Sequence, residues 1–347
     1  MRTLRFLLLT ALGLALFPFL IHPIGGYAGL ATQIVIVSIA SVGFNLLLGE
    51  AGMLSYGQAM FSGGAGYVTA ILLLRAMPNH PNLWLAVLGA TLVTTVFAAI
   101  LGSLVVRLYG IYFALLTLAF AQMVFFIVEQ AKDWTNGDDG IQSIPNAPLA
   151  IGPWNIDLQA TLPSLDLGPF GNLAEIHLWY IFAALMLLGV LWFVRALRAS
   201  QFGEVLAAIR ENEERSALVG FVPAGYRFAA FVIAGALTGF AGSLRAIYDG
   251  TVAVEALDIN HSGAYVIYTV VGGVQTLFGP VLGTAAIMYL EDVLSAKTSA
   301  WHLIEGAIFV LVIIFLPGGI VGTFKNRRAR ASRETLVRSL ESPKVTP

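Results

Sequence analysis

Apolar stretches recur along the whole chain, most of them roughly 18–25 residues long, the length a helix needs to cross a hydrocarbon layer about 30 Å thick. They cover residues 5–22, 28–48, 54–74, 83–106, 111–129, 177–195, 226–248, 262–275, 279–294 and 303–322. Leu, Ala, Ile, Phe and Gly dominate them, which favours helices over the alternating strands of a membrane barrel. With 58% hydrophobic and 11% charged residues, the 347-residue chain cannot cover a water-facing surface, so its bulk solvent is lipid. The expected fold class is all-α: a polytopic transmembrane helical bundle of about ten spans, or eight if 262–294 forms one tilted helix. Gly272, Gly273, Gly279 and Pro280 in that region fit either a tight turn or a kink.

The distribution of positive charge orients the spans. With the N-terminus in the cytoplasm, the inner side collects Arg2, Arg5, Arg107, Arg195, Arg198, Arg210, Arg215, Arg227, Lys325, Arg327, Arg328, Arg330, Arg333, Arg338 and Lys344. The outer side receives Arg75, Lys132, Arg245 and Lys297. Fifteen against four follows the positive-inside rule and predicts that both termini are cytoplasmic. The basic, apolar N-terminus is read as an uncleaved first helix. Residues 1–324 are expected to form a single transmembrane domain, with an external loop at 130–176, a cytoplasmic loop at 196–225 and a basic, disordered tail at 325–347. No internal repeat is visible.

The net charge of −1 argues against nucleic acid as a partner, and the absence of cysteine excludes disulfides, thiolate metal sites and cysteine nucleophiles. His22, His80, His177, His261 and His302 are scattered without metal-ligand spacing. None of the four lysines follows a glycine, so the chain has no G-x-x-x-x-G-K-[S/T] phosphate loop. No catalytic constellation, metal site or cofactor is expected, and the chain is read as a non-enzyme.

The densest charge run, "GEVLAAIRENEERSALVG" from Gly203 to Gly220, carries six charges in eighteen residues. Val205, Leu206, Ile209, Leu218 and Val219 alternate with Glu204, Arg210, Glu211, Glu213, Glu214 and Arg215 at amphipathic spacing. Ser200 can cap the start, Glu211 and Arg215 stand at i,i+4, and Gly220 followed by Pro223 can end the helix. A surface helix along the cytoplasmic face is predicted. Its mixed charge suits a protein groove better than anionic lipid.

This stretch resembles the cytoplasmic coupling segment of ABC importer permeases of the branched-chain amino acid class, the LivM-type subunit. "NLLLGEAGMLSYGQAMFSGGAGY" (Asn45 to Tyr67), "YFALLTLAFAQ" (Tyr112 to Gln122), "TNGDDGI" (Thr135 to Ile141), "VVGGVQTLFGPVLG" (Val270 to Gly283) and "LPGGIVG" (Leu316 to Gly322) are similar to further blocks of that family, in the same order. Glu50, Gln58 and Arg245 depart from its pattern.

The resemblance implies a multi-pass inner (plasma) membrane subunit that forms half of a translocation pathway. Its partners would be a homologous second permease, two ATPase subunits that bind the ATP and Mg, an external substrate-binding protein, and membrane lipid. The implied cargo is a branched-chain or other hydrophobic amino acid, with urea or short amides as the alternative within the class. An ion-coupled secondary transporter would place ionisable groups at mid-span, where few are found. An intramembrane enzyme would need paired acids or clustered histidines there.

Carried over residue by residue, the ATPase-coupling set is Gly203, Glu204, Ala207, Ala208, Arg210, Glu211, Asn212, Glu213 and Gly220. Pathway candidates are the neutral polar residues Asn45, Ser55, Gln58, Ser62, Thr69, Thr117 and Gln122, whose competing role is helix-to-helix hydrogen bonding. Trp134, Gly137, Asp138 and Asp139 are candidates for external docking, against the plainer reading of an acidic solvated turn. The glycines from 49 to 66 and the pairs Gly235/Gly239 and Gly279/Gly283 suggest close packing or a broken helix lining a cavity. Glu291, Asp292 and Glu305 are expected near the outer surface, solvated or paired.

Overall fold

The computed structural model describes residues 2–151, 154–161, 177–298, 300–316 and 318–323. The basic tail at 325–347 and the 162–176 part of the external loop lie outside the described residues. The described chain is built from helices α1 (Arg2–Ile21), α2 (Ala28–Asn45), α3 (Gln58–Ile71), α4 (Leu83–Val105), α5 (Gly110–Gln130), a short α6 (Lys132–Thr135), α7 (Leu178–Arg198), α8 (Gln201–Glu211), α9 (Glu213–Leu218), α10 (Pro223–Asp249), α11 (Ile259–Gly272), α12 (Gly279–Ser295) and α13 (Trp301–Phe315). Wider π turns extend α2 to Glu50 and α3 to Ala76. A small antiparallel hairpin, β1 (Leu149–Ile151) with β2 (Trp154–Ile156), stands in the long loop after α6.

Among the described residues, seven helices are long and apolar enough to cross a membrane: α2 and α3 with their extensions, α4, α5, α7, α10 and the stretch Trp301–Thr323. The apolar part of α1 and the helices α11 and α12 are shorter. Hydrophobic residues all round α2 bury it, and it packs against α7, α10, α11 and α12 at the centre of the bundle. Helix α4 shows the opposite case. Leu85, Leu88, Leu92, Val96, Ile100 and Leu104 recur every three or four residues and stay exposed, a stripe that is stable only against lipid.

Small residues let the helices close up. A Cβ at Gly235 would lie 2.8 Å from the Ala98 Cβ, and one at Gly239 2.7 Å from the Thr94 Cγ2, so α10 sits almost backbone-deep against α4. The region 262–294 is two antiparallel helices joined by a turn, and the single tilted helix is ruled out. Gly273 at φ +123° and Gln275 at φ +67° reverse the chain. Asn45 then secures the turn, donating from Nδ2 to the Thr276 carbonyl at 2.9 Å and accepting from the Gln275 amide at 3.3 Å. A Cβ at Gly283 would sit 1.9 Å from the Tyr268 carbonyl oxygen, so only glycine allows the α11–α12 contact.

The bundle has two ends. Arg198, Glu50, Gln275 and α8 meet at one, called here the lower end; Arg75, Trp134, Asp249 and the loop after α5 meet at the other, the upper end. Two stretches that are not α-helical enter the bundle from these ends. Residues 51–57 climb from the lower end to the level of Thr117, where the Tyr56 amide donates to Thr117 Oγ1 at 3.2 Å. Residues 250–258 descend beside α3, with Val252 against Gly66 and Ala256 against Gly63, until Ser262 Oγ accepts from the Ala59 amide at 3.0 Å. Irregular backbone at membrane depth is tolerated only where it is buried in protein or lines a cavity, since lipid offers its amides no partner.

Candidate functional site

Both irregular stretches line cavities. The lower one, about 580 Å³, lies between Gly52–Tyr56 and the first turns of α5, with Phe113, Arg227 and Ile259 in its wall. The upper one, about 190 Å³, lies among α3, α10 and the 251–256 stretch and is the more polar, with Arg245, Asp249, Glu255 and His261 around it.

The surface helix predicted over 201–220 is present but broken at Asn212, whose extended backbone (φ −159°) starts α9 and whose side chain accepts from the Arg215 amide at 2.8 Å. That cap divides the run into two helices and puts Glu211 and Arg215 on separate ones. Ser200 precedes α8 without capping it by its side chain, because its hydroxyl donates back to the Leu197 carbonyl at 2.7 Å. Gly220, at φ +102°, ends the run as expected, and Pro223 opens α10, three residues before the expected span. Val205, Leu206 and Ile209 are buried against the bundle, whereas Leu218 and Val219 are 89% and 73% exposed. The break turns the second half of the predicted apolar face away from the bundle.

The coupling candidates fall on two faces. Glu204, Ala208 and Glu211, with Gln201, form an exposed stripe at i, i+3/i+4 spacing, and Asn212 and Gly220 are exposed beyond it. Gly203 and Arg210 face the chain itself. A Cβ at Gly203 would lie 2.5 and 2.6 Å from the carbonyl oxygens of Leu197 and Arg198, so α8 is wedged under the last turn of α7. Arg210 donates from Nη1 to the Gly49 carbonyl in the π turn of α2. Ala207 is half-buried. Glu213 is half-buried too, 3.6 Å from Arg227 Nη1; Arg227 also donates to the Leu108 carbonyl at 2.7 Å and lies over the Tyr109 ring.

Arg198, absent from the sequence-derived set, holds this end together. Its Nε pairs with Glu50 Oε1 at 2.9 Å and its Nη2 donates to the Gln275 carbonyl at 2.7 Å, joining α7, the end of α2 and the α11–α12 turn. Its partners lie 148 and 77 residues away in the chain, so no local spacing announces them.

Of the pathway candidates, Asn45, Ser55, Gln58, Ser62, Thr69 and Thr117 are all buried within this chain. Ser62, Thr69 and Thr117 donate to carbonyls on their own helices, Ser55 accepts from the Gly57 amide, and Gln58 Oε1 accepts from Thr238 at 2.9 Å. Ser62 also lines the upper cavity. Gln122 stands half-exposed on α5, beside the exposed Met123 and Phe126.

At the upper end Trp134 is exposed, with Arg75 stacked 4.4 Å from its ring centroid, and Asp138 and Asp139 are exposed beside the buried Gly137. This loop is bound to the descending stretch. Ile141 and Val252 exchange two backbone bonds of 2.9 Å, and the Ile144 amide donates to the Gly250 carbonyl at 2.9 Å. Asp292 accepts from Tyr27, Glu291 accepts from Tyr268, and Glu305 lies 3.9 Å from His302. Among the described residues no three His, Asp or Glu side chains group as a metal site.

The family described as branched-chain amino acid transport system, permease component, matches residues 26–316. The chain belongs to this family. The permease is 26% identical over 307 residues to the high-affinity branched-chain amino acid transport system permease protein LivM of Salmonella typhimurium, covering 85% of this chain and 70% of the relative; LivM of Escherichia coli is similar to the same extent. A third similarity, to the L-arabinose ABC transporter permease protein AraH of Azospirillum brasilense, is 29% over 138 residues, 37% of this chain and 40% of that one. No solved structure matches the permease significantly. Family and apolar helices together make it a multi-pass membrane transport subunit of the ABC type.

Proposed function

We propose that this chain is the membrane subunit of an ABC importer for branched-chain or other hydrophobic amino acids, moved by separate ATPase subunits that dock on α8 and α9. The observation that carries the reading is the two-faced α8. Its outward stripe of Gln201, Glu204, Ala208 and Glu211 is free to meet another protein, and its inward Gly203 and Arg210 lock it to α7 and α2. The exposed Leu218, Val219 and Val222 beside the stripe extend the docking face with apolar area.

A displacement of α8 is carried by backbone contact, charge-assisted hydrogen bonds and ion pairs to four elements. Gly203 passes it to α7, Arg210 to α2, and Arg198 to both Glu50 and the α11–α12 turn, while Glu213 passes it through Arg227 to α10. The two irregular stretches with their cavities are the parts of the bundle that can change shape with least loss of helical hydrogen bonding. In this reading the lower end is cytoplasmic, both termini lie there, ten helices span the inner membrane, and a homologous permease completes the pathway. ATP and Mg are held by the ATPases. An external binding protein docks near Trp134, Asp138 and Asp139, and the Ile141–Val252 bridge connects that loop to the upper cavity.

The test is co-purification with the ATPases and leucine uptake in proteoliposomes after the double reversal Glu204→Lys and Glu211→Lys. Loss of the complex, with the isolated permease still folded, is the expected result. A complex and an uptake rate equal to the wild type would overturn the docking assignment.

A further inference from the structure

We propose that the upper cavity is a subsite for the charged end of the transported amino acid, with Arg245 taking the α-carboxylate and Glu255 the α-ammonium group. This rests on the reading of the chain as an amino acid permease.

Arg245 lies one helical turn before Asp249, the last residue of α10, and pairs with it through Nε alone, at 3.2 Å. Among the described residues its two terminal nitrogens meet no acceptor. They form the fork that binds a carboxylate by two parallel hydrogen bonds. Glu255 lines the same cavity from the 3-10 turn Val254–Leu257, exposed and with no cation at ion-pair distance among the described residues. Tyr67, one residue beyond the cavity-lining Gly66, is within electrostatic reach of Glu255 and has a buried hydroxyl without a partner. Ionisable groups are costly at membrane depth and persist there for a use, and a zwitterion matches a guanidinium with two unused donors and a carboxylate without a cation that line one cavity, Asp249 holding the guanidinium through its Nε.

Size and lining agree with a small aliphatic amino acid. An apolar cavity of about 150 Å³ holds benzene; this one, at about 190 Å³, has room for the few further heavy atoms of leucine or valine. Ala246, Val252 and Ala256 offer apolar wall to an aliphatic side chain beside the charged groups. The descending stretch that carries Glu255 is also the one bridged to the outer loop at Ile141.

The chain has no cysteine, so Ala253→Cys places one reporter thiol in the cavity wall. Its alkylation by a membrane-impermeant maleimide is followed by mass spectrometry of this subunit in the assembled transporter in nanodiscs. L-leucine is expected to slow the reaction at least about fivefold and saturably, whereas 4-methylpentanoate and 3-methylbutylamine, each lacking one charged group, are not. Arg245→Gln in the same background is expected to abolish the protection and to cut leucine uptake at least about tenfold with ATPase co-purification unchanged. Glu255→Gln, at an exposed and unpaired position, gives the same loss of protection should the arginine variant fail to fold. Alkylation indifferent to leucine, protection that survives both substitutions, or wild-type uptake by a folded Arg245→Gln transporter would overturn the proposal. A wild-type transporter that moves no leucine at all, with its cavity still protected by leucine, would instead overturn the functional reading and leave the binding site standing.

Discussion

Replacing Gly203 by Ala tests the wedge through which α8 is proposed to act on the rest of the bundle. The added Cβ would lie 2.5 Å from the Leu197 carbonyl oxygen, 2.6 Å from that of Arg198 and 2.7 Å from the Arg198 Cα. A close carbon–oxygen contact needs about 3.3 Å, so α8 must retreat from α7 by roughly 0.7–0.8 Å. All three obstructing atoms are backbone, and no rotamer change relieves the clash. Overpacking of this kind costs about 1–3 kcal/mol, which in a two-state balance is roughly 5–150-fold. The outward stripe is untouched, so the ATPases should still co-purify. The thermal midpoint of the purified permease should fall, and leucine taken up per ATP hydrolysed should fall with it. Gly225→Ala is the matched control: a Cβ there meets nothing within 4 Å, and both quantities should stay at the wild-type value. A Gly203→Ala transporter with unchanged midpoint and coupling ratio would refute the wedge.

Two further outcomes follow from packing. Gly283→Ala puts a Cβ 1.9 Å from the Tyr268 carbonyl oxygen and should splay the α11–α12 hairpin at a cost above about 3 kcal/mol, seen as loss of folded yield, whereas Gly263→Ala, with open space around it, should be neutral. Thr238→Val removes the donor to Gln58 Oε1, whose amide nitrogen already lacks a partner, and should cost about 1–3 kcal/mol in thermal unfolding; adding Gln58→Leu should recover part of the loss, giving a non-additive double-mutant cycle.

Much of the architecture was legible from hydropathy. The expected span at 83–106 is α4 at Leu83–Val105, and that at 111–129 is α5 at Gly110–Gln130. Apolar length is a local property, and lipid leaves the backbone no alternative to helix, so reading along the chain suffices. The local structure of the candidate stretches was legible only in part. The glycine-rich signature from Asn45 to Tyr67 marked the region of the first irregular stretch, but only the fold shows that residues 51–57 leave the helix. The amphipathic spacing of 201–220 located the surface helix and concealed its break, because the capping bond from the Arg215 amide to Asn212 competes with helix continuation and leaves the apolar pattern unchanged.

The sequence by itself determined that this chain lives in a membrane and that its segments are helices. Those properties are set by composition and run length. Tertiary structure decided which polar groups serve the bundle and which are left for a partner or a ligand. Asn45 went to the α11–α12 turn, Gln58 to Thr238, Arg210 to the Gly49 carbonyl and Arg198 to Glu50, while the terminal nitrogens of Arg245 were left without an acceptor among the described residues. Each of those four pairings joins residues more than 140 positions apart. In a bilayer, where water cannot stand in for a missing partner, such distant pairings fix what each polar side chain is free to do.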